Sequence, residues 1–206
     1  MIRTRPLATL AAASAAFAMS GCISLLPKAE PAQLYRFGGD PQAVAPSSGS
    51  KRAVALAAVQ FDQAASGDRI LTTNGQEAAY ISGARWVAPA ETLFEQAVQR
   101  AFATASATRL IERGQATAST MTLDLRVERF EARYDRGEKA APTAVVAVRA
   151  RLIRFPDRAI VAERLFQASE AAADDRVGAI VPAIDSATGS VLRDLATWTD
   201  QIAAGR

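Results

Sequence analysis

The sequence predicts an α+β fold: a two-layer domain in which a mostly antiparallel sheet is covered by two amphipathic helices. Three observations lead there. Met121, Leu123, Leu125 and Val127 alternate with Thr122, Asp124, Arg126 and Glu128, the period of a half-buried strand. Phe94, Val98 and Phe102 recur every fourth residue, and Ile180, Ile184, Ala187, Val191, Leu195, Trp198 and Ile202 step by three or four. Each helix therefore has one apolar stripe, which needs a sheet face to cover, and alternating strands supply one face for that purpose.

The elements follow in order. Arg3 and Arg5 precede an uncharged, alanine-rich run over residues 7–19, too short to span a bilayer comfortably and of signal-peptide length. It ends in Ala18-Met19-Ser20-Gly21-Cys22, with the only cysteine of the chain last. This resembles a bacterial lipoprotein signal, with Met19 where leucine is usual. It predicts removal of residues 1–21 and acylation of the Cys22 sulfur by a diacylglyceryl group. The competing reading is an ordinary secretory leader followed by a stray cysteine. A lone cysteine in an exported chain has no disulfide partner, and acylation explains it. Several acyl chains on one residue meet the requirement for stable anchoring. Ile23, rather than aspartate, follows the cysteine, so the expected destination is the periplasmic side of the outer membrane.

Residues 22–50 are expected to form the lipidated N-terminus, a short strand at Leu34-Tyr35-Arg36-Phe37, and a Gly/Pro/Ala/Ser-rich tether over 38–50. The folded domain is expected over 51–206. Residues 53–61 form a nearly continuous apolar strand. Residues 69–73 and 77–82 flank Asn74-Gly75, a pair that tolerates positive φ, and predict a hairpin. Pro89 is placed at the start of a helix running to about residue 105, with Trp86 just before it as a packing anchor. Residues 109–111 form a short edge strand. After Val127 the apolar phase moves to Phe130, Ala132 and Tyr134, which predicts a β-bulge at Glu128-Arg129. Asp135-Arg136-Gly137 turns the chain into a second strand with Val146, Val148, Ala150 and Leu152 inward and Arg149 and Arg151 outward. Pro156-Asp157 leads to a third strand over 160–169. Asp174 and Asp175 precede the last helix as capping acids. Pro182 predicts that the regular helix begins near that residue, and Gly189 suggests a close helix-to-sheet approach.

Composition narrows the chemistry. The whole chain holds 24 basic and 21 acidic side chains, and the leader removes Arg3 and Arg5, leaving 22 against 21. That near-neutral balance is no footprint for nucleic acid. Histidine is absent, which excludes His-based triads, Cys-His dyads and His-ligated metals. No phosphate-binding glycine loop, nucleophile elbow or metal-ligand spacing occurs. No catalytic residue, cofactor or metal site is therefore expected.

The string Asp68-Arg69-Ile70-Leu71 to Tyr80, followed by Ala84-Arg85-Trp86-Val87-Ala88-Pro89 and an amphipathic helix, resembles the ABC-type transport auxiliary lipoprotein family, related to the PqiC-type lipoproteins. Leu34-Tyr35-Arg36-Phe37 resembles the family's N-terminal strand, and the run from Phe166 to Leu195-Ala196-Thr197-Trp198 its closing pattern. The resemblance implies a non-catalytic accessory subunit of an intermembrane lipid-transport system, with an MCE-domain substrate-binding protein and its ABC permease and ATPase as partners. Self-association is left open. A second reading is a lipid carrier that itself holds an acyl chain between helix and sheet. A third, an envelope glycan hydrolase using carboxylates, lacks any recognisable carboxylate pair.

Overall fold

The computed structural model describes residues 31–39, 52–111, 120–137 and 140–205. Cys22, the leader and most of the 38–50 segment lie outside the described residues. The strands in chain order are β1 (Gln33–Tyr35), β2 (Arg52–Leu56), β3 (Gln60–Phe61), β4 (Arg69–Asn74) and β5 (Glu77–Trp86). Helix α1 (Ala90–Ala105), β6 (Thr108–Ile111), β7 (Met121–Arg133), β8 (Thr143–Arg154), β9 (Ile160–Ala171) and helix α2 (Val177–Ala204) follow. The architecture is α+β, and the compact unit runs over Ala32–Arg206.

The long strand β7 organises the sheet. On one side it pairs antiparallel with β8 along its whole length, and β8 pairs antiparallel with β9. This is the meander read from alternation, and the register slips between Val127 and Arg129 where the phase change places a bulge. On its other side β7 takes three short parallel partners in series. β2 pairs at Thr122-Leu123, β3 at Arg126-Val127 and β4 at Ala132-Arg133. The predicted strand over 53–61 is thus broken in two. Residues 57–59 leave the ladder, while Ala57 N and Asp62 N still donate to the carbonyls of Leu123 (2.8 Å) and Val127 (3.1 Å). β6 extends β2 in parallel, and β5 joins β4 antiparallel.

The β4–β5 hairpin forms one residue later than expected. Asn74 stays in the ladder opposite Glu77, and Gly75, at φ +59, opens the turn with Gln76. Only the first central residue takes positive φ, the pattern of a type II′ turn, which needs glycine first rather than asparagine.

Both helices pack into one hydrophobic cluster with the sheet. Leu123, Leu125, Leu152, Ile180, Ile184 and Leu195 are at most 1 % exposed. Phe166 and Trp198 meet edge to face at 5.5 Å, which ties α2 to β9. The other sheet face carries charge: Arg149 bridges Glu128 (2.6 Å) and Glu163 (3.3 Å), and Glu163 also meets Arg151. Val145 and Ala147 are nevertheless buried on that same face, set by register between Glu131 and Ser169, and between Arg129 and Gln167. Alternation alone assigns them to solvent.

Three helix expectations are corrected. α2 begins at Val177, so Pro182 lies inside it. Proline there removes one backbone bond, to the carbonyl of residue 178. That residue is an exposed glycine, where water can take the partner's place. Gly189 makes no close approach: a methyl group there would meet only an Arg193 nitrogen at 3.5 Å. Asp174 accepts the N–H of Arg176 at 2.7 Å, two residues on, while the helix itself has no side-chain cap. The acid shapes the turn before the helix.

Candidate functional site

The string from Asp68 to Pro89 and the segment Leu34-Tyr35-Arg36-Phe37, which carry most of the family resemblance, converge on one structural joint. β5 rises from the hairpin, and between Tyr80 and Arg85 its register against β4 jumps. Leu71 faces Tyr80 and Arg69 faces Arg85, so Ile81, Ser82 and Gly83 have no register partner in β4. Gly83 takes φ +69, a conformation that a side chain disfavours and that bulges commonly need. Beyond the bulge, Arg85 Nη1 holds both oxygens of Asp68 at 3.0 Å, and Trp86 N donates to Asp68 O at 2.7 Å.

Trp86 turns inward and is 2 % exposed. It meets Phe37 edge to face at 4.9 Å, and Phe130 touches Phe37, Trp86, Phe61 and Phe94 with ring centroids 4.8 to 6.2 Å apart. Such edge and tilted contacts favour the ring quadrupoles. The chain then enters α1 through Pro89, which needs no N–H there. The first free N–H groups of the helix are met by the preceding loop: Ala90 N donates to Gly67 O (2.9 Å). One motif thus closes a bulged strand, seats an aromatic cluster and starts a helix.

The same joint receives the N-terminal segment. β1 pairs in parallel with β5, Leu34 beside Arg85 and Tyr35 beside Trp86, and Val87 N donates to Tyr35 O at 2.7 Å. Phe37 is 1 % exposed. Gly38 follows at φ +87, its N–H donating to Asp185 Oδ1 of α2 (2.6 Å) and its carbonyl accepting from Arg100 Nε of α1 (3.0 Å). Burial, with repulsion from Arg36, lowers the pKa of Arg100, and Asp185 partly restores it. A residue in the stretch expected as tether is therefore bonded to both helices.

Arg69, Tyr80, Ile81, Ser82, Gly83, Ala84 and Arg85 line a hollow of about 400 Å³. The Arg69 guanidinium sits 3.7 Å over the centre of the Tyr80 ring, and the Tyr80 hydroxyl donates to Ala64 O at 3.0 Å. Among the described residues no cluster of three carboxylates, histidines or cysteines stands ready for a metal ion, and no helix is long and apolar enough to cross a membrane. Asp174 and Asp175, the acidic pair singled out in the sequence, lie outside this joint, before α2.

The profile of the ABC-type transport auxiliary lipoprotein component matches residues 35–196. The chain belongs to that family. Among solved structures it is similar to protein XCC0632 from Xanthomonas campestris, with 23% identity and a TM-score of 0.71 over 84% of this chain and 98% of that one. A second likeness is to an uncharacterized protein, at 12% identity and a TM-score of 0.62, covering 82% of this chain and 99% of that one. A third is to hypothetical protein CT253 from Chlamydia trachomatis, at 10% identity and a TM-score of 0.54, covering 76% and 100%. At these identities the likenesses establish the shared fold alone. No functionally curated protein matches the chain by sequence.

Proposed function

We propose that this auxiliary lipoprotein is a non-catalytic docking subunit, acylated at Cys22 and held at the periplasmic face of the outer membrane, in an intermembrane transport system built around an MCE-domain protein with its ABC permease and ATPase. The observation that carries the reading is the joint at Gly38. Eleven residues after Cys22 the chain enters β1, and from there Phe37 and Gly38 are fastened to both helices and the aromatic cluster. An anchor attached to such a point holds the whole body at the membrane rather than a trailing tail. Anchoring raises the local concentration of the domain, so weak contacts with a partner suffice.

The packing between α1, α2 and the sheet supports docking over carriage of an acyl chain. Phe94, Val98 and Phe102 of α1 and Ile180, Ile184 and Leu195 of α2 are at most 1 % exposed, and close-packed interiors leave little room for an acyl chain. Pull-down of the lipoprotein from detergent-solubilised envelopes tests the partner reading; recovery without any MCE-domain protein refutes it. Intact-mass measurement of Cys22 and membrane fractionation test the anchor and its membrane. Native mass spectrometry after mild extraction separates docking from carriage, because a carrier retains its lipid. The same spectrum reads self-association.

A further inference from the structure

We infer that the hollow at the β5 bulge binds the phosphodiester head of an anionic phospholipid in the membrane that carries the anchor. The first ground is electrostatic. Arg69 and Arg85 are register partners in an antiparallel pair, so two guanidinium groups stand opposite each other on one face, an arrangement that destabilises a sheet. Asp68 balances Arg85. Arg69 has no carboxylate among the described residues, only the Tyr80 ring beneath it. The hollow holds one positive charge more than it neutralises, and a guanidinium stacked on a ring still presents its N–H fork to a phosphate.

The second ground is the backbone. Ile81, Ser82 and Gly83 lack partners in β4, and all three line the same hollow. The third is the apolar surround. Leu34, beside Arg85 in β1 and 59% exposed, and Val87, 45% exposed, are among the most exposed large apolar side chains of the described residues. A cationic hollow beside exposed apolar side chains matches a lipid head with its first methylenes. The fourth ground rests on the proposed anchor at Cys22. Leu34 lies twelve residues beyond it, and a fully extended chain spans at most about 3.6 Å per residue, or roughly 40 Å. That length bounds how far Leu34, which neighbours Arg85 of the hollow, can lie from the anchor.

The test uses the full mature lipoprotein in nanodiscs, with hydrogen exchange read on the peptide covering residues 80–86. One set of discs contains phosphatidylglycerol; the other is made of a phosphate-free glycolipid. Binding should slow exchange at Ile81–Gly83 by about tenfold in the first set over the second, and Arg69→Gln should remove most of the difference while Arg69→Lys keeps part of it. Unchanged circular dichroism melting of both variants guards against misfolding. Equal exchange in the two discs overturns the proposal. Inorganic phosphate giving the same protection in the glycolipid discs also overturns it, by assigning the hollow to a free anion. Protection that appears only when an MCE-domain protein is added assigns it to a protein carboxylate and overturns the lipid reading. Intact mass reports acylation of Cys22 separately. Where that anchor is missing, co-flotation with phosphatidylglycerol vesicles still tests the hollow alone.

Discussion

Replacing Gly38 with alanine should loosen the attachment of the N-terminal segment more than any comparable substitution at a turn. The added methyl group would sit 2.7 Å from Ala97 Cβ and 2.8 Å from Arg100 Nη2. Arg100 can swing at its tip, but its Nε also holds the Gly38 carbonyl, and Ala97 belongs to a rigid helix. Positive φ for a residue with a side chain costs about 1–2 kcal/mol, and overfilling a packed site costs a further 1–3 kcal/mol or so. The sum is about 2–5 kcal/mol. Gly137→Ala is the control, since Gly137 also has positive φ (+93) but nothing within 4 Å of the added group, so only the first cost of about 1–2 kcal/mol applies. Urea unfolding of both variants measures the difference. Hydrogen exchange over 33–38 shows whether the segment detaches before the domain unfolds, which would cap the global loss while exposing the segment. If Gly38→Ala matches the control in both readouts, the reasoning about the joint is wrong.

Other substitutions test the remaining packing and electrostatics. Phe130→Ala should cost about 3–5 kcal/mol by thermal or denaturant unfolding, because Phe130 links four rings of the cluster. Gly189→Ala should stabilise α2 by about 0.5–1 kcal/mol, since its surroundings leave room; a loss in melting temperature would refute this. Asp200 accepts from Ser106 Oγ, Ala107 N and Thr108 N at 2.7 to 2.9 Å. Burial raises its pKa, but these hydrogen bonds outweigh burial and hold the carboxyl below its ordinary value of 3.8. Its stabilisation is therefore complete above that ordinary value and is lost as pH falls through the lowered native one. Asp200→Asn should destabilise at neutral pH by about 1–3 kcal/mol and flatten the fall in stability on acidification, measured by urea titrations across that range.

The candidate site was only partly legible in the sequence. The string from Asp68 to Pro89 stood out, and Trp86 as an anchor beside a helix start is what the structure has. Its internal geometry was not readable. The Asp68–Arg85 pair spans 17 residues, and the stacking of Arg69 on Tyr80 depends on a register jump that no periodicity announces. Gly83 is the one local signal, since glycine within a strand pattern marks bulges.

Local chemistry determined the rest of what the sequence could tell. The alternating strands β7 and β8, the bulge after Val127, the two helix stripes and the edge strand β6 follow from periods of 2 and 3.6, which express contacts with a single covering layer. The near-miss at Asn74-Gly75 is of the same kind, because turn residues choose a type but neighbouring pairs choose the register. Tertiary structure alone decided which strands meet. Three short segments run in series along one edge of β7, and β1 pairs in parallel with β5. It also decided that Val145 and Ala147 are buried on the charged face, that Asp200 fastens a turn 92 residues away, and that Gly38 joins the two helices. A pattern within a dozen residues records which side of an element is apolar. Which partner covers that side depends on contacts between segments far apart in the chain, formed only when the whole domain closes.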